Sequence, residues 1–422
     1  MLLGAELIVT TPDVRQQPSR RALWEPCTVP GDVARGGVVP VSAAGTKVTY
    51  SDGSVRTCMN SGLWNVPFGY SHPDMLESVR EATAKASYLQ IPSQYSVDAA
   101  DLIAETLGGQ YRAVTFSTSG GAAVDTAMKL CRLYGSAVGG PGKRVIIGLT
   151  ESYHGLLYGS FGLTGEDVDQ GSYGLDRRFI RHIAVNDTAA LGSLLDQHGP
   201  DICGMFVEPV QGNNGEAMTG EFVELAASAA REFDFLLVAD EVTTGIYRTG
   251  PFVASSGWPA EPDVVILSKG LTNGMAAASV VAVGRRAVDA LSSRNLRLIH
   301  METQAGTPAS CAAIMAALRV GQQLHDDGAV TRTALAVRQV LTEVAGKVGS
   351  LRAHGVGCLQ FLSPVGDRGP LSEAGPDTVL ERLYDAGVLC HPTLRGIAVV
   401  PSFVCSEADR DVLRTALMTA LG

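Results

Sequence analysis

The stretch FLLVADEVTTGIYRTG at positions 235–250, followed by PDVVILSKGLTNG at 262–274, decides the fold and points to the chemistry. Each stretch contains a short apolar run, and each run ends in polar residues that include Asp240 in the first and Lys269 in the second. Short continuous apolar runs indicate strands buried on both faces, as in parallel sheets. Ligands of such sheets bind beyond the carboxyl ends of the strands. We therefore expect Asp240 and Lys269 to lie together at a binding site.

The same pattern recurs earlier in the chain. The run AVTFS is followed by Ser119, Gly120 and Gly121, the run RVIIGL by Tyr153 and His154, and the run ICGMFV by Glu208. Helical patterns lie between several of these runs, at 122–135, 187–197 and 220–233. This alternation predicts an α/β fold with a mostly parallel sheet that helices cover on both faces.

The ends of the chain predict a second, smaller α+β domain. The last third is rich in helix, with short strands expected at 355–363 and 387–400, and residues 47–60 form a hairpin pattern around Asp52-Gly53. Residues 1–46 show little periodicity and are expected to form an arm. The expected division is a large domain at 61–309 and a small domain that joins 1–60 to 310–422.

Composition excludes several classes of protein. The 422 residues are 45% hydrophobic with a net charge of -10, which disfavours a nucleic-acid partner. No run approaches the ~20 apolar residues of a membrane helix, and the first residues do not resemble a secretion signal. The eight cysteines are scattered without a Cys-x-x-Cys pair. We expect a cytoplasmic protein with reduced thiols, no metal site and no membrane partner.

The polar residues at the strand ends suit a cofactor with an aldehyde and a phosphate. A poorly solvated lysine is nucleophilic toward a carbonyl, so Lys269 could form a Schiff base. A buried Asp240 requires a cationic partner, and a protonated pyridine nitrogen is one. Ser119, Gly120 and Gly121 stand before a helix, whose N-terminus attracts anions. Tyr153 could stack on a cofactor ring.

Each of these residues also has an ordinary alternative. Lys269 could be a surface lysine, and Asp240 could cap the next helix. Ser119 could act only as an N-cap, and the pair Tyr153-His154 could be structural. Their combination in one chain favours the cofactor.

The ordered strings resemble the class III (subgroup II) aminotransferases, a branch of the fold-type I pyridoxal-phosphate (PLP) enzymes. The resemblance runs from about residue 47 to the C-terminus. The matching strings are GLWNVPFGYSHP, FSTSGGAAVDTAMKLCR, ESYHG, VEPVQG, LLVADEVTTGIYRTG, PDVVILSKGLTNG and AGTPASCAAIMAAL.

The resemblance implies a role for each matching residue. Lys269 resembles the lysine that binds the cofactor and carries the proton, and Asp240 the residue that keeps the pyridine nitrogen protonated. Val242 and Tyr153 would pack on the two ring faces. The rest of the implied cofactor site is Ser119, Gly120, Gly121, His154, Glu208 and Thr243. Thr307 resembles a threonine that reaches the phosphate of a partner subunit, which implies a homodimer with shared active sites.

Several positions depart from the family pattern. Ala122 replaces a usual acidic residue, and Thr243 replaces a glutamine that bonds the phenolic oxygen of the cofactor. Ala398 stands where members that bind a substrate carboxylate have an arginine. His391 stands where amine transaminases have a mobile arginine, and the nearby Arg395 could substitute for it. Trp64 resembles an aromatic residue that lines the substrate pocket, with a core tryptophan as the alternative.

These departures predict an aminotransferase whose acceptor is a ketone or aldehyde without an adjacent carboxylate, because a bidentate guanidinium is lost. The donor would be an amine or an amino acid. One candidate context is natural-product tailoring of the daptide type, with a ketone at a peptide C-terminus. The alternative enzyme on this scaffold is an aminomutase, racemase or decarboxylase. A non-enzymatic regulator is disfavoured by the retained Lys269 and Asp240.

Overall fold

The computed structural model of the chain describes residues 22–31, 37–366 and 369–422. The expected arm at 1–46 lies partly outside the described residues, at 1–21 and 32–36. The strands are β1 (Pro40–Ala44), β2 (Lys47–Tyr50), β3 (Val55–Cys58), β4 (Tyr111–Ser117), β5 (Val145–Leu149), β6 (Ile180–Ile183), β7 (Ile202–Val207), β8 (Leu236–Asp240), β9 (Val264–Leu267), β10 (Ser279–Gly284), β11 (Leu351–Val356), β12 (Leu359–Pro364), β13 (Val388–Leu389), β14 (His391–Thr393) and β15 (Gly396–Val399). The helices are α1 (Ser61–Trp64), α2 (Pro73–Lys85), α3 (Gln94–Thr106), α4 (Gly120–Gly139), α5 (Tyr158–Leu163), α6 (Thr188–His198), α7 (Gly220–Glu232), α8 (Arg285–Ser292), α9 (Pro308–Asp326), α10 (Ala329–Val348), α11 (Pro370–Asp385) and α12 (Glu407–Leu421).

A seven-stranded sheet forms the centre of the molecule, with strand order β4-β10-β9-β8-β7-β5-β6. Strand β10 runs antiparallel to both of its neighbours, and the other pairs are parallel. The link between β9 and β10 contains only a single 3₁₀ turn at Lys269–Thr272. A parallel return would require a longer crossover, usually with a helix. The expected mostly parallel α/β sheet is confirmed.

Helices cover both faces of this sheet, as the sequence predicts. Val264 and Ile266 of β9 pack in the same apolar cluster as residues of α4 and α8. The alternate residues Val265 and Leu267 pack with residues of α3 and α9 on the opposite face. Because side chains alternate along a strand, a continuous apolar run is required to fill both sides.

Two smaller sheets join the ends of the chain. The hairpin of β2 and β3 forms as expected around Asp52-Gly53, and β3 pairs in parallel with β13. The other small sheet is antiparallel throughout and has the order β11-β12-β15-β14. It packs with α10 and α12 around its own apolar cluster. These pairings support our proposal that the N-terminal strands and the C-terminal third form one small domain.

Helix α9 packs with the large sheet, through buried residues such as Cys311, Ile314 and Leu318. The expected boundary at 310 would assign this helix to the small domain. The buried face of α9, made of small and apolar residues, also packs against α2 and α3 of the large domain. We propose that the small domain begins after Asp326.

Two further observations bear on the expectations from composition. In the described part of the chain, no helix is both long enough and apolar enough to cross a membrane. All eight cysteines lie within the described ranges as free thiols, and six of them are buried.

Candidate active site

A cavity of about 420 Å³ lies at the carboxyl ends of the central strands. The expected residues that line it are Ser119, Gly120, Gly121, Tyr153, His154, Asp240, Val242 and Lys269. Strands β4, β5, β8 and β9 all end at this edge of the sheet because they run in one direction. The sheet topology therefore brings together residues that are up to 150 positions apart in the sequence.

Lys269 follows β9 and directs its amine toward the cavity. Its Nζ donates a hydrogen bond of 2.7 Å to Oγ1 of Thr243, and it lies 4.5 Å from the ring centroid of Trp64. Burial lowers the pKa of the Lys269 amine to about 8, against the opposing charges of Glu208 and Asp240. The backbone of Lys269 has a φ of 46°, a region that L-residues rarely adopt, and such strain is common at functional sites.

Asp240 ends β8 and is held by two groups. One carboxylate oxygen accepts from the backbone N–H of Val242 at 3.1 Å, and the other lies 2.7 Å from Nδ1 of His154. Burial alone would lower the pKa of His154, but the hydrogen bond and charge of Asp240 outweigh it and raise that pKa. Nε2 of His154 is buried and has no hydrogen-bond partner in the described part of the chain. Such an orphaned polar atom is uncommon in a finished core.

Glu208 follows β7 and is buried beside these groups. Its two carboxylate oxygens accept from the backbone N–H groups of Tyr153, at 3.0 Å, and Gly212, at 3.1 Å. Burial raises the pKa of Glu208 to about 7, although the charge of His154 opposes the rise. Glu208 therefore fixes the loop that carries Tyr153, and no arginine pairs with it among the described residues.

The N-terminus of α4 faces the cavity. Ser119 is its N-cap, and the Ser119 hydroxyl accepts from the backbone N–H of Ala122 at 3.2 Å. No acidic side chain occupies the first turn of α4, where Ala122 replaces the residue usual in the family. A Cβ atom on Gly120 would lie 3.1 Å from a methyl carbon of Val242, so the glycine permits this close contact. The free N–H groups of the first turn can bind an anion.

Three other expected residues lie around the cavity without lining it. Trp64 packs edge-on against His391, with ring centroids 5.6 Å apart, and Thr243 lies next to both Trp64 and Glu208 around Gly212. Burial, and then the charge of Lys269, lower the pKa of His391 to about 4. The imidazole is therefore uncharged at neutral pH.

Thr307 and Arg395 are not among the residues that line the cavity. The Thr307 hydroxyl caps α9, where it accepts from the backbone N–H of Ser310 at 3.4 Å. Arg395 is exposed and forms an ion pair with Glu151, at a separate cleft. The role of Thr307 toward a partner subunit stays a prediction.

The sequence reasoning missed several residues that line the cavity: Asn65, Thr118, Gly155, Leu156, Leu157, Ser268, Thr272 and Ala276–Ala278. Asn65, Gly155 and Ser268 adjoin residues that were identified, so their position in the chain was the available signal. Leu156 and Leu157 follow the ESYHG string, but nothing in their residue type indicates a binding site.

The residues present fit PLP. Asp240 is a buried carboxylate at the cavity wall, suited to a protonated ring nitrogen, and the orphaned Nε2 of His154 lies beside it. Lys269 is a weakly basic amine at the same cavity, suited to an aldehyde. The N-terminus of α4 supplies N–H groups for a phosphate. These three features line one cavity.

Comparison with known proteins gives a consistent result. The aminotransferase class-III family pattern matches residues 32–421. An acetylornithine aminotransferase of Mycobacterium tuberculosis is 29% identical over 400 residues, which cover 91% of this chain and 92% of the relative. A PLP-bound amine transaminase structure from an uncultivated Pseudomonas species aligns with a TM-score of 0.86 and 23% identity, covering 96% of this chain and 99% of the other. A transaminase structure from the marine bacterium Virgibacillus aligns with a TM-score of 0.84 and 25% identity, covering 91% and 92%. The chain belongs to the class III aminotransferases, and it is a PLP-dependent aminotransferase of fold type I.

Proposed function

We propose that this aminotransferase transfers amino groups to a ketone or aldehyde that lacks an adjacent carboxylate. The observation that carries the proposal is the charge of the site. Of the described residues that line the cavity, the basic side chains are Lys269 and His154, and His154 is bound to Asp240. Among these described residues, none carries a guanidinium that could bind a carboxylate next to the reacting carbon.

The position of the usual arginine supports this view. Ala398 lies on β15, is fully buried, and packs in an apolar cluster with Trp64 and Phe361. It is paired across the sheet with His391 and Phe361. The His391 ring that pairs with Ala398 is uncharged, so neither position supplies a cation near the cavity.

The side chains divide the work of the reaction. PLP supplies, when bound, an aldehyde that takes up the amino group and a ring that withdraws electrons from the reacting carbon. We propose that Asp240, oriented by His154, holds the proton on the ring nitrogen. The Lys269 amine, with a pKa of about 8, can accept and return a proton near neutral pH. The Thr243 hydroxyl accepts a hydrogen bond from that amine and positions it.

We further propose a homodimer. Leu156 and Leu157 line the cavity and are more than 40% exposed, and the nearby segment that follows α8 exposes Ile299 and Met301. Contacts of His300 with Thr126 and of Glu302 with Thr118 fix this segment beside the start of α4. An exposed apolar rim at an active site suits a second copy of the chain.

A panel of acceptors tests the proposed specificity. The holoenzyme, first converted to its aminated form by an amine donor, is mixed with pyruvate, 2-oxoglutarate, acetophenone, a linear aldehyde and a peptide that ends in a methyl ketone. Return of the visible absorption of the cofactor reports transfer. We expect transfer to the ketones and aldehydes to be faster than to the keto acids.

The variant His391→Arg sharpens this test. It restores a cation beside Trp64, and we expect kcat/KM for pyruvate to rise about tenfold, since a charged hydrogen bond contributes about 1.5 kcal/mol. The matched control His391→Gln changes the size of the side chain without adding charge and should not raise it. A wild-type enzyme that prefers keto acids over every neutral carbonyl would contradict the proposal.

A further inference from the structure

We infer that Trp64 is a positioning residue for Lys269, and that the face of its indole ring binds the amine of that lysine in its free, protonated form. The inference goes beyond the proposed function, because it concerns how the site handles a proton and not which acceptor it uses. The two contacts that the amine makes, with Trp64 and with Thr243, carry the inference.

The Lys269 amine has few hydrogen-bond acceptors around it. A protonated amine has three N–H donors, and among the described residues only the Thr243 hydroxyl accepts from it, at 2.7 Å. The carboxylates of Glu208 and Asp240 act on the amine through their charge and form no hydrogen bond with it in the described part of the chain. Because a charge that is withdrawn from water requires partners, the ammonium form needs a further contact.

The indole ring of Trp64 supplies this contact. Its centroid lies 4.5 Å from Nζ of Lys269, inside the ~6 Å within which a cation is attracted to an aromatic face. Tryptophan is the side chain that attracts cations most strongly in this way. Trp64 is itself buried, so water competes little for the amine on this side. The ring therefore stabilises the ammonium form of Lys269 relative to the neutral amine.

A strained turn places Trp64 beside the amine. All four residues of α1 have a positive φ, with 45° for Ser61, 54° for Gly62, 61° for Leu63 and 68° for Trp64. L-residues adopt this left-handed region at a cost, and rarely in succession. The turn is anchored at its start, because the Ser61 hydroxyl donates to the carbonyl oxygen of Val400 at 2.7 Å. Strain of this kind persists only where the surroundings hold it, and it is common at functional sites.

The indole ring is also enclosed on its other sides. His391 packs edge-on against it, with ring centroids 5.6 Å apart. A Cβ atom on Gly212 would lie 3.2 Å from Cζ3 of Trp64, so the loop after β7 packs directly on the ring. Trp64 further belongs to an apolar cluster with Val210 and Phe361. These contacts leave the ring little room to move away from the Lys269 amine.

The charged groups around Lys269 change its pKa in opposite directions. Burial lowers the pKa to about 8, the charges of Glu208 and Asp240 oppose this change, and the charge of Arg248 adds to it. His391 contributes no charge at neutral pH, because its own pKa is about 4. The aromatic face favours the cation without a titrating group of its own. It thus helps to keep the amine in the range where it can both give and take a proton near neutral pH.

Labelling of the cofactor-free protein with acetic anhydride tests the inference. The reagent acetylates only uncharged amines, so the labelling rate of Lys269 as a function of pH gives its pKa. Mass spectrometry compares this rate with that of the exposed Lys85 in the same digest. We expect Trp64→Leu to lower the pKa of Lys269 by about one pH unit, because the cation loses its aromatic partner. Trp64→Phe keeps a weaker aromatic face and should give an intermediate value.

Leu63→Ala is the matched control, because Leu63 belongs to the same turn but has an exposed side chain. It should leave the pKa of Lys269 at the wild-type value. Circular dichroism shows which variants are folded, and Trp64→Phe alone still tests the inference, since its Lys269 pKa must fall below that of the wild type.

A Lys269 pKa that stays constant or rises in the Trp64 variants would overturn the inference. A ring that acts only by excluding water would raise the pKa when it is removed, because the amine would become better solvated. Equal values in the Phe and Leu variants would also overturn it, since only phenylalanine retains an aromatic face. None of these outcomes involves an acceptor, so each leaves the proposed function intact.

Discussion

At the scale of single residues, burial is the force that prepares the site. It raises the pKa of Glu208 to about 7 and lowers that of Lys269 to about 8. The pKa values of an acid and an amine, which normally differ widely, thus become similar. Asp240 differs from Glu208 in its partners, since His154 and the N–H of Val242 bind its two oxygens. The fold thus leaves the Glu208 carboxyl near its midpoint at neutral pH.

The carboxyl of Glu208 makes stability depend on pH. Its folded pKa of about 7 exceeds the ordinary value of 4.5, so the folded state holds the proton more tightly than the unfolded state. The stability that this proton provides is complete below pH 4.5 and is lost as the pH rises through 7. The loss amounts to something on the order of 3 kcal/mol.

Glu208→Gln removes this titration. We compare the free energy of unfolding of the cofactor-free variant with that of the wild type. The difference between them should move in favour of the variant from pH 5 to pH 8, whatever its value at pH 5. Urea unfolding of both proteins at the two pH values measures the difference. The exposed Glu224→Gln is the control and should show no such change. Parallel curves for Glu208→Gln and wild type would show that Glu208 is charged throughout.

Some of these residues could be predicted from the sequence, and others could not. Asp240, Lys269 and Glu208 could be predicted because each follows an apolar run that had to be a buried strand. The neutral state of His391 could not be predicted, since it depends on burial against Trp64 and on the nearby Lys269 amine. Arg395 is close to His391 in the chain, yet it follows the end of β14 and pairs with Glu151 at a cleft separate from the active-site cavity.

At the scale of elements, the loop after β5 and the start of α4 form the side of the cavity that we propose binds the phosphate. Gly155 has a φ of 114°, which only glycine adopts readily, and a Cβ atom there would lie 2.7 Å from Cα of Gly121. The loop after β5 therefore packs directly on the first turn of α4. The strand and helix content of these elements could be predicted from apolar periodicity, but this contact between their ends could not.

Gly155→Ala should separate the loop from the helix. We expect a stability loss of about 1–3 kcal/mol from the strained backbone and a weaker affinity for PLP, because the N–H groups of α4 would move. Thermal unfolding and fluorescence titration of the cofactor-free protein with PLP measure the two effects. Gly192→Ala on α6 is the control, since its Cβ would meet no atom within 4 Å. An unchanged PLP affinity in Gly155→Ala would contradict this role.

The direction of β10 shows the limit of element prediction. The run ASVVAVG was identified as a strand, and its apolar side chains fill both faces as expected. Whether it ran parallel or antiparallel depended on the path of the chain after Lys269, where a 3₁₀ turn replaces a crossover helix. The pattern of apolar residues indicates whether a strand is buried, whereas the direction of the strand depends on the length of the segment that connects it to the preceding strand.

At the scale of the whole molecule, the apolar rim around the cavity is the feature that a single chain leaves incomplete. Met301 is 84% exposed and Ile299 is 77% exposed, on a segment that His300 and Glu302 hold against the start of α4. Charge and composition do not predict this rim, because it joins two segments that lie far apart in the chain. Because the rim lies beside the start of α4, we propose that assembly and cofactor binding are linked.

Replacing both Ile299 and Met301 with Asp should break the dimer that we propose. Each subunit would then bring two carboxylates to the interface. Burying these four charges would remove their hydration, and we expect this cost to outweigh the remaining contacts. We expect light scattering to report half the mass of the wild type, and titration to report weaker binding of PLP. Leu335→Asp on α10, at an apolar residue that is 67% exposed and does not line the cavity, is the control and should stay dimeric. If the double variant keeps the wild-type mass, the assembly uses another surface, and the rim must be covered by something other than a second copy of the chain.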